Sequence, residues 1–325
     1  MSQSFLLSKR AEERGHDVHI FSVSNFPSVC VMAGMNTKSL ALSIEKFYRW
    51  LDLMDEDERD EEFILKEITL IRVDVLSYCV ATIGSSLPRD SSEMMKPGLY
   101  GPFYPDGRPF NGKIGDPSPT LSFVNMATSL DERTAKGSRP SEKNLMPDAL
   151  IDSAIQRDNG VCCITGRADG PTSTIWVFPP MLAMFAIDEI DFDKYRTLDN
   201  IITINSELVD AFNQNAFTVD VDDDYRIIQF DNIAGWTLPP RLAIMTATYE
   251  FWRENFKWSL STYFPGTDVR DDYPDTEPAR LMQQLYDGEA DLEEEVWSTG
   301  IGMEVLEQYI LEAEWEDAGD GEDSQ

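Results

Sequence analysis

Two histidines, His16 and His19, are the only imidazoles in 325 residues, which bounds the chemistry open to the chain. In extended chain an i, i+3 pair points to opposite faces of a strand, and VHIFSV is a strand-favouring run. Two ordinary residues are therefore expected, not a shared metal site. The four cysteines, Cys30, Cys79, Cys162 and Cys163, show no C-x-x-C spacing, and adjacent Cys162 and Cys163 read as small buried hydrophobes. The DVDDD run from Asp220 opens like a calcium loop, with acids at positions one, three and five. Tyr225 stands where such a loop needs its glycine, so a hairpin turn is expected instead. With no nucleotide, flavin, haem or zinc motif in view, the chemistry left is of a kind that needs no cofactor and no metal.

The stretch from Arg157 to Phe230 reads RDNGVCCITGRADGPTSTIWVFPP, a spacer, then DNIITINSELVDAFNQNAFTVDVDDDYRIIQF. It resembles the HNH endonuclease-like domain common in filamentous fungi. There the second strand carries Ala-His-Ile-Ile-Pro, an Asn follows the spacer, and a helix reads roughly Asp-Leu-His-x-x-Phe-Asp. The resemblance implies a degenerate ββα core with additional helices in an α+β protein. It extends from about Val18 to Asp275, with 157–230 its specific part. The histidine positions hold Trp176 and Val209 here, and Asn200 remains. In the family one histidine acts as general base, while the residue before it and a helix histidine commonly hold the cation. Ile175 and Val209 have no heteroatom and the Trp176 indole is a donor only. The resemblance thus implies a scaffold that no longer cleaves nucleic acid; residual metal-dependent nuclease activity is the least favoured alternative.

On that scaffold the substitutions place apolar surface on the hairpin and helix. Ile175, Trp176, Phe178, Met181 and Phe185 are expected to face Val209, Phe212 and Asn213 across the former metal groove. One alternative is that the groove has collapsed into core. The other is that it stays open for an apolar small molecule, oriented by polar groups drawn from Asn200, Asn205, Asn213, Tyr195 and Arg157. In that case Trp176, Asn200 and Tyr195 are the candidate catalytic residues. A cofactor-independent cyclisation, cycloaddition or isomerisation, of the sort used in specialised metabolism, needs only orientation and a hydrogen-bond donor. A non-catalytic interaction or regulatory module remains the alternative from a different class. Asn200 can equally serve as a structural tie.

Charge argues in the same direction. The formal net charge is −32, whereas nucleic-acid binding draws its affinity from clustered Lys and Arg. Between Arg157 and Arg226 there are five bases against thirteen acids, so nucleic acid is not an expected partner. The last segment, 288–325, holds fourteen acids and no base, which suits a basic protein partner. No run approaches the 18 apolar residues of a membrane span, and MSQSFLLSKR lacks the form of a secretory signal; a cytoplasmic location without membrane attachment is expected.

Around this stretch, 17–23 and 27–33 read as two strands, and Asn36 or Thr37 as the cap of a helix carrying Leu40, Leu42, Ile44, Phe47, Trp50 and Leu51. Residues 68–83 read as a strand or strand pair, and the Gly- and Pro-dense stretch from Gly98 as turns and extended chain. A helix is expected from Asp148, and one long helix or two from Leu238 after the Pro239–Pro240 start. Leu306, Tyr309, Ile310 and Ala313 are spaced to line one helical face. The expected organisation is a small α+β domain (1–126), a linker (127–147), the HNH-like domain with its C-terminal helices (148–275) and an acidic segment (276–325).

Overall fold

A computed structural model describes residues 5–54, 62–112, 114, 120–134, 139–185, 191–274 and 276–319. The chain falls into two compact units, one of residues 1–37, 41–118 and 264–325 and the other of 38–40 and 119–263. The boundaries differ from the sequence-based segmentation. Residues 264–325 belong with the N-terminal strands, and 119–147 belong with the hairpin region.

The first unit is built on a closed five-stranded barrel. Its strands are β1 (Val18–Ser22), β2 (Ser28–Met35), β3 (Ile64–Asp74), β4 (Ser77–Ser86) and β5 (Gly98–Phe103), in the order β1-β2-β4-β3-β5. Neighbours pair antiparallel except β1 and β5, which close the barrel in parallel with Val18 opposite Gly98. The apolar residues of alternating positions, Phe21, Val23, Val31, Ile68, Leu70, Tyr78 and Phe103, fill its interior. The sequence signalled turns and extended chain around Gly98, yet β5 is a full partner in the barrel. The second of its two glycines answers a packing need: a Cβ at Gly101 would lie 2.9 Å from Val23.

α1 (Lys9–Arg14) is capped by the Ser8 side chain, which accepts from the Ala11 N–H, and ends at left-handed Gly15. α2 (Ile44–Met54) buries Ile44, Phe47, Trp50 and Leu51, as their spacing requires, but starts eight residues after Asn36. The two expected caps are engaged otherwise. The Asn36 amide donates to the Arg14 carbonyl at 2.8 Å, and the Thr37 N–H and hydroxyl both donate to the Asp17 carboxylate at 2.8 Å.

His16 and His19 are both buried, 7% and 6% exposed. His16 sits so close to β2 that a Cβ at Gly34 would meet its Nδ1 at 2.5 Å, and the His19 ring stands edge-on to Phe5 at 4.8 Å. Burial, with Arg14, the neighbouring His19 and Arg10 adding to it, lowers the His16 pKa to about 3. Burial lowers that of His19 to about 4, against an opposing pull from Asp17.

α8 (Glu277–Tyr286) and α9 (Gly300–Gly319) complete this unit. Val269, Leu281, Trp297, Ile301 and Val305 form one cluster with Leu76. The fully buried line of α9 is thus Ile301 and Val305; of the expected face Leu306 packs against this cluster and Tyr309 against the Tyr286 ring, while Ile310 and Ala313 are exposed. Between Ile301 and Val305, Glu304, 5% exposed, accepts from the Leu76 N–H at 2.9 Å and the Tyr78 hydroxyl at 2.8 Å, with Arg72 at 3.9 Å. Replacing Glu304 by Ala leaves these buried donors unmatched. The expected loss is roughly 3 to 5 kcal/mol, read as faster hydrogen exchange of α9 and a lower urea midpoint; protection of α9 equal to wild type refutes it.

The second unit contains α3 (Phe123–Arg133), α4 (Asp148–Asp158), β6 (Thr172–Trp176), α5 (Phe192–Tyr195), β7 (Ile201–Asn205), α6 (Val209–Asn213), β8 (Phe217–Asp220), β9 (Arg226–Gln229) and α7 (Tyr249–Tyr263). α4 starts at Asp148 as expected. Asp220 opens the expected hairpin turn, with Asp224 and Tyr225 in the left-handed region. The segment 127–147 is not a bare linker: α3, capped by Ser122, packs Phe123, Met126, Ala127 and Leu130 onto the core, and Pro140–Asn144 forms a 3-10 turn. Nor does Pro239–Pro240 start a helix. The Pro240 carbonyl accepts from the Ile227 N–H and the Leu242 N–H donates to Tyr225, so this stretch runs along β9 and α7 begins only at Tyr249.

Candidate functional site

β6 and β7 pair antiparallel with Ile175 opposite Ile202 and Trp176 opposite Ile201, and α6 follows β7 through a 3-10 turn at Ser206–Leu208 capped by Asn205. Between β6 and β7 lie a 3-10 turn at Pro180–Phe185, α5 and a second 3-10 turn at Leu198–Asn200, and α6 is a single short helix. Cys162 and Cys163 are free and buried beside these elements, and burial pushes the Cys163 thiol well up; they are packing residues.

A groove of about 300 Å³ opens along the hairpin. Thr174, Ile175, Trp176 and Pro179 line it from the strand side and Asn213 from α6. The rest of the lining is Phe123, Val124 and Ala127 of α3, with Asn144 at the end of the 3-10 turn and Met146 just after it. Trp176 is fixed in this setting: its indole N–H donates to the Asn144 carbonyl at 2.7 Å, and its ring packs with Ala154 and Ile201. Asn144 also accepts from the Met181 N–H at 2.9 Å through its side chain. Two polar side chains on the groove, Thr174 and Asn213, make no hydrogen bond among the described residues. None of the lining side chains titrates.

Of the residues expected at the site, Ile175, Trp176 and Asn213 meet at the groove. Asn200 does not reach it, being 0% exposed. Its Oδ1 accepts from the Phe178 N–H at 2.9 Å, and its Nδ2 donates to the carbonyls of Phe178 at 2.7 Å and Tyr195 at 2.8 Å. The amide is saturated and ties the loop between the strands, the structural alternative of the two. Tyr195 lies outside the lining, its ring against Phe178 and Phe251; burial, then Glu254 and Asp191, raise its pKa. Since the Trp176 N–H is also taken by Asn144, the three candidate catalytic residues do not converge on one reacting position.

The remaining expected residues are placed by packing. Phe178, Met181 and Phe212 are buried in the core and Val209 packs against it. Phe185 is exposed, 5.9 Å from the Trp258 ring. Arg157 pairs with Asp158 and donates to the carbonyls of Leu198, Ile201 and Thr246, so it clamps loops and does not orient a ligand. Asn205 accepts from the Glu207 N–H. The α3 wall was missed because TAKGSRPSEKN dominates the reading of 127–147. The signal was present in Phe123, Met126, Ala127 and Leu130 at helical spacing behind the Ser122 cap.

Among the described residues no three of His, Cys, Asp or Glu come together as a metal-binding group, and no helix is long and apolar enough to cross a membrane. A scan against family models matches none, and searches of curated proteins and of solved structures find no match.

Proposed function

We propose that the second unit binds a neutral, largely apolar small molecule in the groove between α3 and the β6–β7 hairpin, on a scaffold derived from an HNH nuclease whose catalytic side chains have been replaced. The observation that carries this reading is the lining itself: aromatic and aliphatic walls, two unpartnered polar groups at Thr174 and Asn213, and no charge to favour an ion. Its volume is at the lower end for ligand sites. Trp176 at the end of β6 and Val209 at the start of α6, the positions where the resemblance puts the lost histidines, are what supports the descent. If the bound molecule reacts, the protein contributes orientation and a hydrogen bond from Asn213 or Thr174, which suits a cyclisation, cycloaddition or isomerisation without cofactor. A second reading, an interaction module for a basic protein, is favoured by the exposed Ile71, Val73 and Ile83 on the β3–β4 hairpin and the acidic C-terminal segment.

The groove can be filled from its solvent side. Val124 is exposed on α3, so Val124→Trp is expected to leave the unfolding midpoint intact while weakening 2-naphthol, followed by ligand-observed NMR, by roughly tenfold or more. Asn213→Ala is expected to weaken 2-naphthol by about 0.5 to 1.5 kcal/mol and naphthalene not at all. Undiminished 2-naphthol binding to the Val124→Trp protein would remove the groove as the site.

A further inference from the structure

A second cavity in the same unit, about 540 Å³, shares no lining residue with the groove. Arg167 and Glu207 both line it, together with Trp236, Thr237, Leu238 and Pro239. The backbone that presents each charge is fixed. Arg167 follows left-handed Gly166 in a turn closed by the Gly166 N–H donating to the Cys162 carbonyl and the Cys162 N–H donating to the Arg167 carbonyl, both 2.8 Å. Glu207 lies in the 3-10 turn capped by Asn205. Trp236 follows left-handed Gly235, donates its N–H to the Ile233 carbonyl, and rests part of its ring on the core.

The two charges are opposite in sign, both are exposed, and they line one cavity without forming an ion pair with each other or with any described residue. Elsewhere in this acidic unit Arg226, Arg241 and Arg253 each sit against an aspartate, while Arg196 donates to the Lys143 carbonyl. The Trp236 indole N–H and the Thr237 hydroxyl are likewise without a partner among the described residues. A ligand that answers both charges must carry a carboxylate for the guanidinium fork and an ammonium for the carboxylate. Trp236, Leu238 and Pro239 offer an apolar wall for a side chain between those groups. The molecule's charge of −32 repels anions such as phosphates and dicarboxylates, while a simple amine leaves Arg167 unmatched.

We propose that this cavity is a binding site for a free α-amino acid with an apolar side chain, held by Arg167 at its carboxylate and Glu207 at its ammonium. Calorimetric titration of the full chain with L-phenylalanine, phenethylamine and 3-phenylpropanoate tests it. L-Phenylalanine is expected to saturate, with each single-charge analogue roughly tenfold weaker or more. Arg167→Gln is expected to reduce L-phenylalanine to the affinity of phenethylamine and leave phenethylamine unchanged; Glu207→Gln does the same with respect to 3-phenylpropanoate. Val124→Trp, which fills the other groove, is expected to change none of these values. No saturation by L-phenylalanine up to about 10 mM, analogues binding as well as the amino acid, or charge variants that leave all three affinities unaltered would each overturn the proposal.

Discussion

Lowering the pH from 7 to 4 is expected to destabilise the barrel unit by roughly 3 kcal/mol for each of His16 and His19. Their folded pKa values, about 3 and about 4, lie below the ordinary 6.5. The unfolded chain therefore takes up protons first. Their contribution is fully present above pH 6.5, falls as the pH drops below it, and stops changing only when the folded-state values are reached. The cause is packing: His16 lies against Gly34 and His19 against Phe5, where a charged ring has lost its water. Protonation of carboxylates in a molecule of charge −32 relieves repulsion and acts in the opposite sense, so the histidine share must be isolated by substitution. Hydrogen exchange in β1 and β2 of wild type and of a His16→Gln, His19→Phe variant, at pH 7 and pH 4.5, provides the comparison. The variant should lose distinctly less protection on acidification; equal losses in both proteins would show that these imidazoles are not responsible.

Asn200→Ala is expected to lower the stability of the second unit by about 3 kcal/mol or more, since it leaves the buried N–H of Phe178 and two carbonyls without a partner. Asn200→Asp should be no milder, because it keeps the acceptor for Phe178 but turns a carboxylate toward the carbonyls of Phe178 and Tyr195. Equilibrium unfolding followed through the tryptophans reports the loss. A catalytic asparagine would behave differently, giving a stable but inactive protein. An Ala variant within about 0.5 kcal/mol of wild type would contradict the structural assignment.

The strands legible in the sequence are those whose apolar residues alternate or run together and whose ends carry turn residues: VHIFS, SVCVMAGM and the β3–β4 pair. Asp148–Asp158 was legible as a helix for the complementary reason. What escaped the reading has identifiable physical causes. Asn36 and Thr37 have the side chains of caps, but Arg14 and Asp17, distant in sequence, recruit them first. Gly98–Phe103 looks like turn sequence, yet its Gly101 is selected by contact with Val23 and not by backbone conformation. Pro239–Pro240 resembles a helix start, yet the carbonyl of the second proline is drawn to β9. At the site, the residue types at Ile175, Trp176 and Asn213 were legible. The groove's other wall depends on where α3 lands, and that is a long-range packing outcome no local pattern encodes.

The order of the two units along the chain carries a consequence for biosynthesis. A ribosome finishes residues 119–263, everything the second unit needs apart from the short piece 38–40, while the first unit still lacks 264–325. The barrel strands emerge early but wait for Glu304, Ile301 and Val305 to cover Leu76 and Tyr78. Truncated nascent chains that stop before Gly300 should therefore show a protease-resistant fragment from the later-encoded unit before one from the earlier-encoded barrel, reversing the usual N-to-C sequence of maturation.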